Sequence, residues 1–260
     1  MDVLGIDIGG SGIKGTPVNI ETGAFLQERF RIETPRPATP KNVADTVKKI
    51  VEHFEWEGPI GCGFPAAIKE DRVLTAANIH KSWIGKNAGK IFTKATGCPT
   101  HVVNDVDAAG LAEMTFGAGR DQKGTVIAVA LGTGIGTAFF SDGTLLPNTE
   151  FGHIILRNGK EAEVYASNIT RKRKELSWED WAKRLNHFFK YMDDLLWPDM
   201  YIIGGGVVKY HMNFIELLKS RTAEIVPAKL LNHAGVIGSA MSFVYAEDHI
   251  KMMHHEDLDS

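Results

Sequence analysis

The chain has 260 residues, 43% of them hydrophobic and 23% charged, with a formal net charge of −3. That suffices for one large domain or two smaller ones and excludes large-scale disorder. The weak negative charge argues against a nucleic-acid coat, no apolar run reaches membrane-helix length, and no basic-then-apolar leader follows Met1; a cytoplasmic protein with no nucleic-acid or membrane partner is expected.

In chain order the first signal is an apolar strand carrying one acid, Asp7, that runs straight into Gly9-Gly10-Ser11-Gly12, with Lys14 just beyond. Glycines permit positive φ and let backbone amides approach an anion, so this turn reads as a phosphate grip. The spacing Gly10-x-Gly12-x-x-Gly15 also satisfies a dinucleotide fingerprint, with Glu33 as its distal acid, but that fingerprint needs a helix after the turn. Pro17 and its β-branched neighbours predict a second strand instead, hence a phosphate-binding hairpin. Residues 23–32 read as a third strand of a meander, closed by a loop with Pro35, Pro37 and Pro40. Thr39 ahead of Pro40 starts a helix with Val43, Val47, Ile50, Val51 and Phe54 on one face. There follow a short strand ending at Pro65, a loop from Asn78 to Trp83 with room for a ligand, a short helix over 89–96, and a strand ending at Asn104-Asp105-Val106-Asp107. Cys62 and Cys98 lack metal or redox spacing and read as buried or half-buried free thiols.

From Thr125 the opening pattern recurs as an apolar strand, the turn Gly132-Thr133-Gly134-Ile135-Gly136, and a second strand. Two copies, each followed by a helix, predict an α/β protein of two similar lobes facing each other across a cleft. Ser177 opens a long helix, with Asp180 in the capping-box place, whose Trp178, Trp181, Leu185, Phe188, Met192 and Leu195 form a core stripe. A strand at 200–203 enters a third glycine turn, Gly204-Gly205-Gly206, predicted to lead into a helix. A last helix begins at Gly235 with small residues suited to close packing, and the tail from His254 is expected to fray.

Taken in this order, the motifs resemble those of the ROK family of sugar kinases, within the actin, hexokinase and Hsp70 class of two-lobed phosphotransferases. Residues 7–14 resemble the family's first phosphate motif, residues 131–136 its second, and Gly204-Gly205-Gly206 its late nucleotide-side motif. Asn104-Asp105 matches the catalytic pair, Glu150-Phe151-Gly152-His153 the Glu-x-Gly-His sugar motif, and the segment around Glu163 the glutamate-containing stretch beyond the zinc loop. The resemblance implies a ribonuclease H-like fold with an N-terminal lobe over 1–107, completed by the helix 235–260, and a C-terminal lobe over 108–234. Most of the family binds zinc through a cysteine-rich stretch; here residues 154–162 contain no cysteine, so no zinc is expected and His153 is left to hydrogen-bond the sugar. In this the chain resembles family members that use inorganic polyphosphate in place of, or beside, ATP, the alternatives within the family being an ATP-dependent sugar kinase and a sugar-sensing regulator. A homodimer is expected by the same resemblance.

Phosphoryl transfer to a hydroxyl needs an oriented nucleophile, a base, and positive or N–H groups on the phosphate oxygens. By the resemblance Asp105 is the base toward the glucose 6-hydroxyl; as a residue read alone it is equally a helix N-cap. Asn104, Glu150, His153 and Glu163 would hold the hexose, with Pro65, Ala66 and Asn78 completing its wall. The bland alternatives are solvated glutamates and a structural histidine. Gly9, Gly10, Ser11, Gly12 and Lys14 would meet the transferring end of the donor, and Gly132, Thr133, Gly134, Gly205 and Gly206 its further phosphates. Asp7 is a candidate Mg²⁺ ligand or an orienter of the turn. The run Arg171-Lys172-Arg173-Lys174, with Lys209, is either a polyphosphate track or a solvated face.

Overall fold

A computed structural model describes the chain from Met1 to Glu256, with side chains as far as Tyr245. The fraying expected of the tail from His254 falls outside the described side chains. The chain divides into two units, one made of Met1–Ala112 and the segment from His233 onward, the other of Glu113–Asn232.

In the first unit β1 (Asp2–Ile8) and β2 (Ile13–Asn19) form an antiparallel hairpin in which Ile8 pairs with Ile13, so residues 9–12 are its turn. Leu4, Ile6 and Ile8 share one face of β1 and are fully buried with the apolar stripe of α1 (Pro40–His53). The opposite face carries Gly5 and Asp7. Thr39 caps α1 by accepting the amide of Asn42, with Pro40 in the first turn as its fixed φ allows. The predicted third strand is divided in two. Its ends, β3 (Ala24–Phe25) and β4 (Phe30–Ile32), both pair with β2; the amide of Leu26 still donates to the carbonyl of Pro17 at 2.9 Å, and residues 27–29 leave the ladder. The cause is Pro17 on β2, which has no N–H to donate to a neighbouring strand; there the hydroxyl of Thr16 reaches out to the carbonyl of Gln27 at 2.8 Å instead.

Beyond α1, β5 (Ile60–Phe64) adds parallel to β1, the short pair β6 (Ile68–Lys69) and β7 (Arg72–Val73) leads to α2 (Ala88–Thr96), and β8 (Thr100–Asn104) adds parallel to β5. α3 (Asp105–Phe116) starts directly from the end of β8. Cys62 and Cys98 are buried free thiols, as expected.

The second unit repeats the scheme. β9 (Thr125–Leu131) and β10 (Ile135–Ser141) form a hairpin extended by β11 (Thr144–Leu146), and residues 132–134 are its turn. The short helices α4 (Ala162–Ala166) and α5 (Asn168–Arg173) precede the long α6 (Trp178–Leu196), capped by Ser177 accepting the amide of Asp180 at 3.1 Å. Trp181, Leu185, Phe188 and Met192 are fully buried, but Leu195 is 58% exposed and Trp178 is half-buried, so the core stripe is shorter than the periodicity predicts. β12 (Met200–Gly204) and β13 (Glu224–Pro227) add in parallel beside β9.

After the third glycine turn there is no α-helix. Residues Val208–Asn213 and Ile215–Leu217 are 3₁₀ turns, the first interrupted at Tyr210. Val207, Val208 and Phe214 are all buried there, and 3₁₀ geometry keeps each run short.

α7 (Ala234–Glu256) returns to the first unit and lies on its sheet through glycines. A Cβ on Gly5 or Gly61 would overlap the backbone carbonyls of Val236 or Ser239, and one on Gly238 the carbonyl of Ala108. The absence of side chains at these positions sets how closely α7 approaches β1, β5 and α3. Among the described residues, no helix is long and apolar enough to cross a membrane.

Candidate active site

The start of α3 places the candidate base. Asn104, not Asp105, is the capping residue: its buried side-chain oxygen accepts the amides of Val106 at 2.8 Å and Asp107 at 3.0 Å. Its amide nitrogen donates to the carbonyl of Ala66 at 3.0 Å, tying α3 to the segment after β5. Ala66 is itself buried, so it backs this segment rather than surfacing it. Asp105 sits half-buried in the first turn, with Gly63 at the end of β5 packed against its backbone. Burial, then the charge of Asp7 and more weakly that of Asp107, pushes its carboxyl up to about 7; the first-turn amides pull the other way. A carboxyl of that acidity is half ionised at neutral pH, the condition for efficient general-base work.

The first glycine turn is closed by a 3.1 Å hydrogen bond from the amide of Gly9 to the carbonyl of Gly12. Gly10 and Ser11 are exposed at its tip, and a Cβ on Gly10 would meet nothing within 4 Å. Lys14 pairs with Asp7 at 2.9 Å, directly opposite in the hairpin register. Asp7 also lies against Gly235, at the start of α7, where the helix dipole favours an anion. Its carboxylate is therefore shared between a lysine and a helix end.

The structure adds one residue to this turn that sequence reading missed. Arg31 stands opposite Lys14 across the β2–β4 pair, packs its guanidinium on Gly12, and donates to the carbonyl of Ser11 at 2.8 Å. Two cations therefore flank one anion-shaped turn. The alternation of Phe30, Arg31 and Ile32 was a local hint that Arg31 faces out, but its register with Lys14 is a tertiary fact.

A cavity of about 390 Å³ in the first unit brings Gly9 and Gly10 together with Pro65 and Asn78, and Arg36 and His80 also line it. The Asn78 loop is anchored by Trp83, fully buried against Phe64 and Phe92, whose indole N–H donates to the carbonyl of Ala38 at 3.0 Å. Asp105 and Ala66 do not line this cavity.

In the second unit the glycine turn 132–134 closes through a 3.1 Å bond from the amide of Gly132 to the carbonyl of Gly134, leaving Thr133 exposed. Gly205, at φ +82°, packs on Leu131, so the second and third turns stand side by side at the ends of β9 and β12. Gly206 is open. Glu163 lies beneath the second turn: it accepts the amide of Ile135 at 3.3 Å, and a Cβ on Gly134 would overlap its carboxylate. Its other oxygen is 3.9 Å from His153, which also stands 3.6 Å from Glu150 and bonds Glu161. Burial raises the pKa of Glu150, and the bond to Glu161 raises that of His153. The Nδ1 of His153 is thus engaged by Glu161, and its Nε2 edge remains for a ligand.

The basic run is not a uniform track. Arg171 stacks on Trp178 with its guanidinium carbon 3.9 Å from the ring centre and bonds Asn168, so it belongs to the packing of α5 on α6. Lys172, Arg173 and Lys174 are exposed, and Lys209 leans over the ring of Tyr210.

Residues 3–164 match the model of the ROK family. The chain belongs to the ROK family. It is 43% identical over 247 residues to the polyphosphate glucokinase of Mycobacterium tuberculosis, covering 95% of this chain and 92% of that protein. Among solved structures, this ROK protein superposes on the inorganic polyphosphate/ATP-glucomannokinase of Arthrobacter sp. strain KM with a TM-score of 0.89 and 42% identity, over 94% of this chain and 99% of that one. A ROK glucokinase from Streptomyces griseus, in complex with glucose and AMPPNP, shares the fold at a TM-score of 0.78 and 23% identity, over 92% and 98% of the two chains. The fold is thus the actin/hexokinase-like one.

The first turn offers a direct test of its role in this ROK protein. Gly10→Ala is expected to leave the unfolding midpoint unchanged within about 0.5 kcal/mol, because the methyl enters open space. The same methyl would stand where a phosphate oxygen must approach the amides, so the donor KM is expected to rise about tenfold. A donor titration beside a thermal melt separates the two effects.

Proposed function

We propose that this chain is a glucokinase that transfers the terminal phosphoryl group of inorganic polyphosphate, and also that of ATP, to the 6-hydroxyl of glucose, with mannose as a second acceptor. The observation that carries the reading is Asp105: a half-buried carboxyl at the start of a helix, tuned to about 7, with the capping duty taken by Asn104. The names of the relatives above support the choice of sugar and donor.

In this reading Asp105 accepts the proton of the 6-hydroxyl as that oxygen attacks the terminal phosphorus, and the bond to the bridging oxygen breaks in line. Glu150 and His153 hold ring hydroxyls, with Glu163 tying their cluster to the second turn. Polar groups built to pair with substrate hydroxyls reject analogues that lack them. The amides of residues 9–12, flanked by Lys14 and Arg31, take the transferring end of the donor; the turns at Gly132-Thr133-Gly134 and Gly205-Gly206 take its further phosphates. Asp7 offers one half-buried carboxylate, paired with Lys14 at 2.9 Å, and a single hard-oxygen ligand is the kind Mg²⁺ takes beside waters and donor phosphates. Bound there, Mg²⁺ would neutralise charge on the donor phosphates. The proposal extends to a cytoplasmic homodimer without zinc.

The deciding experiment assays glucose and mannose phosphorylation with purified polyphosphate and purified ATP separately. Turnover with polyphosphate is expected; turnover with ATP alone overturns the donor assignment, and turnover with neither overturns the kinase reading. Neutralising Lys172, Arg173 and Lys174 together is expected to raise the KM for long polyphosphate about three- to tenfold and flatten its salt dependence, leaving ATP unaffected. Unchanged values for long chains would mark the run as a solvated face.

A further inference from the structure

His153 is surrounded by three carboxylates, and they are not equivalent. Glu161 bonds its Nδ1, with Glu163 behind at 3.9 Å, while Glu150 stands 3.6 Å from Nε2. The Nδ1 side is the more enclosed: the side chains of Glu161 and Glu163 are 32% and 28% exposed, against 42% for Glu150. The ring thus has a held edge and a presented edge.

Glu161 is brought there by a dedicated piece of backbone. Residues 154–162 fold back on themselves: the amide of Leu156 donates to the carbonyl of Lys160, that of Ala162 to Ile154, and Ile155 bridges Glu161. Gly159, at φ +74°, makes the reversal possible. Glu161 then occupies the N-cap position of α4, yet its side chain makes no capping bond and turns to His153 instead. A residue at that position ordinarily satisfies a helix amide. Neither the capping of α4 nor the apolar core accounts for a glutamate here.

We propose that Glu161 is a positioning residue for the hexose: it locks the Nδ1–H of His153 and so fixes the ring with Nε2 presented, beside Glu150, to a sugar hydroxyl. This rests on the kinase reading above. A histidine whose one nitrogen donates to a carboxylate has its tautomer and ring orientation set, and the other nitrogen is left with a defined role. The neighbouring charges of Glu161, Glu163 and Glu150 also favour the imidazolium, and the raised pKa of His153 agrees with that arrangement. With Nε2 then a donor and the Glu150 carboxylate an acceptor, the pair offers a hydroxyl both partners it needs.

The test is Glu161→Gln, with Glu161→Asp as the conservative partner. Side-chain nitrogen NMR should show the His153 titration midpoint falling by about one pH unit or more in Glu161→Gln and recovering in Glu161→Asp. The KM for glucose should rise about tenfold at pH 7 while kcat stays within about twofold, since the residue holds a binding group and not the reacting atoms. Glu161→Gln with an unchanged His153 titration and unchanged KM overturns the proposal. So does wild-type protein that takes up one equivalent of zinc in equilibrium dialysis and loses it in Glu161→Gln, because His153, Glu161 and Glu163 would then be metal ligands. Should the wild type fail to phosphorylate glucose with either donor, the kinase reading falls, and the NMR titration still decides whether Glu161 governs His153.

Discussion

Asp105→Asn is expected to lower kcat for glucose phosphorylation by about two to four decades, the usual yield of a positioned general base. The KM for glucose should change little, because the substitution keeps size and polarity. The pH profile carries the second half of this prediction. The wild-type rate should climb about tenfold per pH unit below neutrality and level off above about 7, where Asp105 is ionised. Asn has no such limb. A profile of kcat/KM in both proteins checks it, and a variant that retains the limb would move the titration to another group.

The same substitution is expected to stabilise the fold. The carboxyl rises from its ordinary 3.8 to about 7, so the folded protein binds that proton more tightly than the unfolded chain does. Wild-type Asp105 therefore costs nothing below about pH 4, costs progressively more between about 4 and 7, and its full amount above that. Each tenfold in ionisation is worth about 1.4 kcal/mol, and water reaching a half-buried carboxylate takes back much of the total, which leaves a gain of about 1–2 kcal/mol at pH 8. Denaturant midpoints should diverge at pH 8 and coincide at pH 4. Activity lost and stability gained in one variant distinguishes a catalytic carboxylate from a structural one, whose removal loses both.

Gly238→Ala is expected to be the most damaging single methyl in the first unit. It would overlap the carbonyl of Ala108, so backbone meets backbone between α7 and α3 and no flexible side chain can yield. Overpacking of this kind exceeds the common range, and a loss of about 3–5 kcal/mol is expected, a large share of the stability of an ordinary domain. Urea unfolding reads it directly. Gly206→Ala, with nothing within 4 Å of the added carbon, should unfold at the wild-type midpoint, so a loss shared by both variants would point away from close helix packing as the cause. If Gly238→Ala instead unfolds like the wild type, α7 does not lie against α3 through this position.

Much of the architecture was legible because its signals are local. An apolar strand ending in a glycine run and resuming after it can only turn back, which made both hairpins readable. Thr39 with Pro40, and Ser177 with Asp180, announce helix starts within one turn of chain. Pro17 was legible in principle too: a residue without an N–H on the second strand forbids a continuous third one, though where the chain leaves the ladder depends on the register of β2.

What the tertiary structure alone decided concerns partners far apart in sequence. Asn104 or Asp105 could have capped α3, and the choice fell to Asn104, whose amide is drawn to Ala66 on another segment. Arg31 joins the first phosphate turn only through its register with Lys14, and Arg171 leaves the basic run only because Trp178 lies beneath it. Glu161 reaches His153 through a backbone reversal that no motif marks. The physical reason is the same in each case. Hydrogen bonds within a turn and a helix's apolar period span a few residues and are written in neighbouring side chains, whereas a charge finds its counter-charge, and a ring its cover, only after the chain has been packed.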